Sequence, residues 1–322
     1  VSSVLVTGGS GYLGTRLLAA LLRCGVAVRM TVRSLEREAE VRRAVRRGGA
    51  DDAGLEVLGA DLSSDEGWPS AAAGCEEVYH VATPMVRPDS PEGPVLLARD
   101  GTLRVLRAAR DAGVRRVVMT SSFAVVGYSP KAVRDYTEAD WTDPDVPGLA
   151  PYPRSKTIAE RAAWHFVRGQ GGGMELVAVN PTLILGPTLT TQARSTLRLV
   201  VAMLDGTMQT APRQRFGVAD VRDVADLHIR AMVAPEAAGE RFLALADGPT
   251  ITYLQLAQIL RDRLGPLAAR APTEEAPGDE LPDMVIHNDR AKRMLGRTPR
   301  PAEITIAETG ESLRDLGLLR QG

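Results

Sequence analysis

Along the first half of the chain, hydrophobic residues come in short solid runs separated by longer stretches with helical spacing. Val4 to Thr7 is an apolar run ending at glycine, which predicts a strand buried on both faces. Leu13, Leu17, Leu18, Leu21 and Leu22 then share one face of a helix that Gly25 stops. Val26–Val32, Leu55–Leu62, Cys75–Thr83, Arg115–Ser122 and Met174–Pro181 read as further strands. Helices are expected over about Leu35–Arg47, Pro94–Ala112 and Pro153–Arg168. Strands alternating with helices at this spacing predict an α/β fold, with a doubly wound parallel sheet covered on both faces.

Beyond Pro181 the rhythm loosens, and prolines separate short helical patterns such as Tyr253–Leu264. The run "FGVADVRDVADLHIRAMV" reads as a strand and helix that rejoin the first unit. The expected organisation is a nucleotide-binding domain over 1–182, with about 210–246 rejoining it. Residues 183–209 and 247–322 would form a smaller substrate lobe.

Composition narrows the function classes. The 322 residues are 44% hydrophobic and 25% charged with net charge −1, which gives no reason to expect nucleic acid or an anionic membrane as partner. No apolar run approaches the length of a membrane span, so neither a span nor a signal peptide is expected, and the expected compartment is cytoplasmic. Cys24 and Cys75 belong to no CxxC motif and are expected as buried thiols in a reducing environment. The four histidines show no ligand spacing, so no metal is expected.

The first candidate chemistry is "VTGGSGYLG", between the first strand and the first helix. Gly8 lets the chain turn off the strand, Gly11 lets backbone approach a pyrophosphate, and Gly14 permits close packing of the helix. The free N–H groups at the helix start and its dipole would hold the phosphates. The second strand ends in "TVRS", with Arg33 where a carboxylate would favour NAD. Arg33 is therefore expected to clamp the 2′-phosphate of NADP(H), with an ordinary exposed loop arginine as the alternative.

"YPRSK" places Tyr152 and Lys156 on one face of a helix, and Ser121 and Ser122 end a strand at the sheet edge where ligands bind. A neighbouring ammonium, with the positive nicotinamide ring, is expected to bring the phenol's pKa toward the working range, making it an acid–base group, while a serine hydroxyl holds the substrate oxygen. Asp220, Asp223 and His228 are expected in capping and strand-end roles.

Together "TGGSGYLG", "TSS" and "YPRSK" resemble the extended short-chain dehydrogenases/reductases of the NAD-dependent epimerase/dehydratase superfamily. "VYHVATPM", "TVRS", "YPRSKTIAERAAW" and "NPTLILGP" are similar, more narrowly, to the dihydroflavonol reductase group. That resemblance implies a Rossmann fold and NADPH-dependent reduction of a ketone or aldehyde. It implies Ser122, Tyr152 and Lys156 as the triad, with Ser121 as the alternative serine. Tyr12 and Leu13 would join the glycines at the cofactor, Asp61 and Leu62 would flank the adenine, and Val81, Ala82 and Thr83 would line its path. Pro181 and Leu183 would lie against the nicotinamide. Ser195 would reach a phosphate or cap a helix. Met85, Phe123 and Tyr128 would form part of the substrate pocket. Where relatives carry an asparagine, this chain has Asp100 in "ARDGTLRVL". The alternatives are a nucleotide-sugar epimerase or dehydratase with bound NAD, and a non-catalytic NADP sensor. The protein is expected as a monomer or homodimer acting on a small carbonyl compound.

Overall fold

The fold was obtained as a computed structural model, which describes residues 3–84, 93–279 and 281–319. Seven strands form the central sheet: β1 (Ser3–Thr7), β2 (Val28–Val32), β3 (Leu55–Gly59), β4 (Cys75–His80), β5 (Arg116–Thr120), β6 (Glu175–Pro181) and β7 (Arg241–Ala244). Their order is β7-β6-β5-β4-β1-β2-β3, and every neighbouring pair is parallel. The chain reverses its direction of travel across the sheet between β1 and β4, which opens a crevice at their C-terminal ends.

Helices α1 (Tyr12–Arg23), α2 (Glu38–Arg47), α3 (Trp68–Ala72), α4 (Gly93–Asp111), α5 (Pro151–Gln170), α6 (Leu197–Leu204) and α7 (Val221–Val233) follow in chain order. The solid apolar strands feed two cores. Val4 and Val6 of β1 pack with α1 and α7, while Leu5 packs with α3, α4 and α5. Along β6, Val177 and Val179 join the first core, Leu176 and Ala178 the second. Both faces are covered, as a doubly wound sheet requires.

After β7 come α8 (Tyr253–Leu264), α9 (Asp289–Leu295) and α10 (Ala302–Asp315). A Thr252–Gln255 capping box starts α8. Three short ladders lie outside the main sheet: 183–185 with 218–220, 215–216 with 251–252, and 135–136 with 285–286.

Several expected strands end early. The ladders stop at Gly59, His80 and Thr120, because residues beyond them turn out of the sheet into the crevice loops. Val26 and Ala27 precede the β2 ladder, and Leu35–Arg37 is a separate 3-10 turn before α2. Cys24 is exposed rather than buried, because it lies just past the last turn of α1; Cys75 is buried. Among the described residues no helix is long and apolar enough to cross a membrane.

Candidate active site

The glycine loop closes on itself. Gly11 N–H donates to the Gly8 carbonyl at 2.9 Å, and Thr15 N–H to that of Gly11 at 2.9 Å. Gly8 has φ +69°, and a Cβ there would stand 2.7 Å from Ala82 Cα. A Cβ on Gly14 would stand 2.3 Å from the Gly8 carbonyl oxygen, so the first turn of α1 lies directly on the loop. Leu13 is buried beneath it. The Tyr12 side chain is also buried and donates its hydroxyl to the Gly186 carbonyl, which ties the loop to the segment after β6. Its side chain thus faces inward, leaving its backbone at the helix start for an anion.

At the end of β2, Arg33 is exposed. Arg37, one turn on, reaches back to the glycine loop, donating to Ser10 Oγ at 2.7 Å and pairing with Glu40 at 3.2 Å. Arg194 joins this cluster: burial lowers its pKa first, and repulsion by Arg37, Arg33 and Arg198 lowers it further, against Glu40. Sequence reasoning missed Arg37 and Arg194. The spacing of Arg33 and Arg37 was a usable signal for the first; the second arrives from a distant loop.

Beyond β3, the strand next to β2, Asp61 Oδ1 accepts from Ser63 N–H and Oγ, both at 2.8 Å. Those bonds, from the Ser63 backbone first, hold its carboxyl below the usual range, and Arg33 adds to the effect. Leu62 is buried. Val81, Ala82 and Thr83 follow β4. Ala82 N–H donates to Thr7 Oγ1 at 3.1 Å, and Lys156 Nζ donates to Thr83 Oγ1 at 2.9 Å.

The two serines separate cleanly. Ser121 is buried and donates to Glu160 Oε2. Ser122 Oγ accepts from Ala124 N–H at 3.1 Å, starting a 3-10 turn, and its hydroxyl is near enough to Tyr152 to act on that phenol's pKa. Tyr152 is 54% exposed, and the surface it shows lines two adjoining cavities. One of about 350 Å³ touches His80, Thr83, Thr102, Ser121 and Lys156; the other, of about 1030 Å³, touches Ser122, Phe123, Tyr128, Pro181, Leu183 and Ser195.

Burial lowers the Lys156 pKa to about 8, and the Glu160 carboxylate opposes that shift. In the free protein the Tyr152 pKa is raised, by burial first, with the Ser122 hydroxyl opposing and no contribution from Lys156. The ammonium turns instead to Thr83.

Glu160, which sequence reasoning also passed over, is a buried hub. It accepts from Asn180 Nδ2 at 2.8 Å, Trp164 Nε1 at 3.1 Å and Arg241 Nε at 2.7 Å, besides Ser121. Arg241 in turn lies 3.9 Å over the Trp141 ring. The i,i+4 step from Lys156 was the signal for it.

Other expectations resolve differently. Ser195 is not a helix cap: it sits at φ +52°, one residue before the cap Thr196 of α6. Phe123 is buried edge-on to Tyr136 at 5.5 Å. Met85 lies outside the described residues. Asp100 pairs with Arg99 at 2.8 Å. Asp220 caps α7, Asp223 pairs with Arg297 at 2.7 Å, and His228 is buried against Thr120 and Val224. Among the described residues no group of three or more His, Cys, Asp or Glu could hold a metal ion.

The profile of the NAD dependent epimerase/dehydratase family matches residues 4–244. The chain belongs to this family. Within it, the relatives are extended short-chain reductases. Cinnamoyl-CoA reductase CAD2 of Medicago truncatula is 32% identical over 97% of this chain and 95% of its own length. Dihydroflavonol 4-reductase of Zea mays is 34% identical over 81% of this chain and 74% of its own length. In fold, this family member superposes on yeast methylglyoxal/isovaleraldehyde reductase Gre2 complexed with NADPH. That likeness has a TM-score of 0.81 at 24% identity, over 98% of this chain and 99% of the other.

Proposed function

We propose that the chain is an NADPH-dependent carbonyl reductase that converts a ketone or aldehyde to an alcohol. The observation that carries this reading is Tyr152 at the junction of the two cavities, with Ser122 on the wall of one and Lys156 on the wall of the other. Two features support a dinucleotide here: Gly8 and Gly14 let the loop, Ala82 and the first turn of α1 pack too closely for any side chain, and Arg33, Arg37 and Arg194 form a cation cluster beside that loop. Gly11 and the N–H groups of Tyr12 and Leu13 would hold the pyrophosphate, with Ser195 beyond them. Arg33 and Arg37 would take the 2′-phosphate. Asp61 and Leu62 would border the adenine, Val81 to Thr83 the central stretch, and Pro181 and Leu183 the nicotinamide.

When bound, the reduced dinucleotide supplies a hydride. The protein's part is proton and charge control. Ser122 and Tyr152 hold the carbonyl oxygen between two hydroxyls, and Tyr152 gives up its proton as charge grows there. Lys156, as ammonium, stabilises the resulting phenolate. In this reading residues 1–182 with 210–246 form the cofactor unit, and 183–209 with 247–322 the substrate lobe.

Following NADPH absorbance over a panel of aldehydes, ketones and diketones tests the activity. Tyr152→Phe is expected to lower kcat/KM by about 10²–10⁴-fold. Undiminished turnover in that variant, across the panel, would overturn the reading.

A further inference from the structure

The larger cavity runs on from the end that the dinucleotide would take, at Pro181, Leu183 and Ser195, to a second end lined by Lys131, Arg134 and Arg215. Its volume of about 1030 Å³ is at the upper end for small-molecule sites. Its described wall carries three cations, Lys131, Arg134 and Arg215, and no Asp or Glu. Lys131 is already satisfied, with Asp140 Oδ1 at 2.7 Å and the Asp135 carbonyl as acceptors.

The two arginines are not. Among the described residues, the hydrogen-bond partner of Arg134 is the soft Met284 Sδ at 3.5 Å. Arg215 donates to the Thr250 carbonyl at 2.9 Å, and its carboxylate neighbour, Asp283 at 3.7 Å, is 96% exposed. Arg215 Nε is itself buried without an acceptor and out of a ligand's reach, so the part of the guanidinium that lines the cavity is what would meet an oxyanion. Thr250 Oγ1 donates to the Met284 carbonyl at 3.0 Å, so buried Thr250 connects Arg215 to Met284 and Arg134, which line the cavity.

Aromatic surface fills much of the rest. Phe216 and Tyr253 pack with centroids 4.7 Å apart, and Phe123 meets Tyr128 edge-on at 6.4 Å. Tyr128 lines the same cavity as Tyr152 and Arg134.

We propose that the substrate is a carbonyl compound with an aromatic or extended apolar body and an anionic oxygen group, a carboxylate or a phosphate, received by Arg134 and Arg215. This names the substrate class of the carbonyl-reductase reading and rests on it. Guanidinium forks match such oxygens with two parallel hydrogen bonds. A wall with cations and no acids also draws anions in from solution, an effect that salt screens. A purely structural duty accounts for one Arg215 bond, which holds Thr250 beside the 215–216 ladder. It does not account for Arg134.

Calorimetry on the full chain saturated with NADP⁺ reads binding apart from turnover. The probes are 3-(4-acetylphenyl)propanoate, its carboxamide and the matching phosphonate. The wild type is expected to bind one or both anions at least about tenfold more tightly than the carboxamide. Arg134→Met should bring that ratio close to one, and Arg134→Lys should restore part of it. Which anion is preferred distinguishes a carboxylate from a phosphate. Equal binding of all three, no binding of any, or a preference that survives in the Arg134→Met/Arg215→Met double variant would overturn the proposal. NADPH oxidation with the same ketones is read separately. An anion preference without turnover sinks the reductase reading and keeps the anion anchor; turnover without preference does the reverse.

Discussion

The Glu160 carboxylate stands one turn beyond Lys156 on α5, fully buried, and opposes the loss of charge that burial imposes on that ammonium. Burial still brings the Lys156 pKa down to about 8 in the free protein, against that carboxylate. The free-enzyme pKa governs kcat/KM, so activity should fall as pH rises through about 8. Glu160→Gln removes the opposing charge and should move that alkaline limb to lower pH. Lys156→Arg keeps the cation and should move the limb upward. A profile from pH 6 to 10 checks both, and a limb unmoved by either substitution would remove Lys156 as its source.

The same carboxylate pairs with buried Arg241 at 2.7 Å. Glu160→Gln leaves that guanidinium without its anion, and breaking a buried pair from one side typically costs about 3–5 kcal/mol. Urea unfolding at pH 7 is expected to show a loss of that order. A loss below about 1 kcal/mol, the scale of exposed pairs, would mean the pair is effectively solvated.

Two buried histidines set an acid limit on stability. Burial, then the Lys156 charge, lowers His80 to about 3; burial lowers His228 to about 4, against its bond to the Val224 carbonyl. In the unfolded chain both titrate near 6.5. Between those values the unfolded state binds the extra protons, so stability is full above about pH 6.5 and declines as pH falls toward 4. Each histidine contributes a slope of up to about 1.4 kcal/mol per pH unit. The urea midpoint should drop between pH 7 and 5, and His228→Asn should make that drop shallower. A midpoint that rises on acidification would contradict the assignment.

The parts of the site legible in the sequence are those made by one continuous stretch. The glycine loop announces itself because a tight turn, an anion and a helix start all act within a few residues. "YPRSK" does so because helical spacing alone aligns Tyr152 with Lys156. Doubly wound packing was readable from strands such as Val4–Thr7, whose solid apolar character demands cover on both sides. Convergence across the chain was not readable. Arg194 reaches the Arg33–Arg37 cluster from a loop after β6, and Glu160 collects partners from β5, β6 and β7. Apolar residues past Gly59 and His80 looked like strand because composition does not record where a neighbouring strand ends.

Gly14 gives a sharper steric test than the other loop glycines. A Cβ there would press to 2.3 Å on the Gly8 carbonyl oxygen, which is backbone and cannot swing away. Gly14→Ala should push α1 off the loop and displace the N–H groups that would hold a pyrophosphate. NADPH affinity, read by fluorescence titration, is expected to fall by more than about tenfold, with a lower Tm from overpacking. Unchanged affinity would place the cofactor away from this loop.

Cofactor preference separates the roles of Arg33 and Arg37. Arg33 is exposed after β2, whereas Arg37 is anchored on Ser10 and Glu40 and so is pre-positioned beside the glycine loop. A charge-assisted hydrogen bond contributes about 1.5–3 kcal/mol, or roughly 10–100-fold in affinity. Arg37→Ser should therefore reduce the NADPH-to-NADH ratio of kcat/KM by roughly 10–100-fold, mainly through a higher KM for NADPH. Arg33→Ser should do less alone, because an exposed guanidinium gives up more of its gain to solvent. The double variant should approach equal use of the two coenzymes. Rising salt should raise the wild-type KM for NADPH more than for NADH, since screening acts on the additional phosphate. Equal use of both coenzymes by the wild type would exclude a 2′-phosphate site at these arginines.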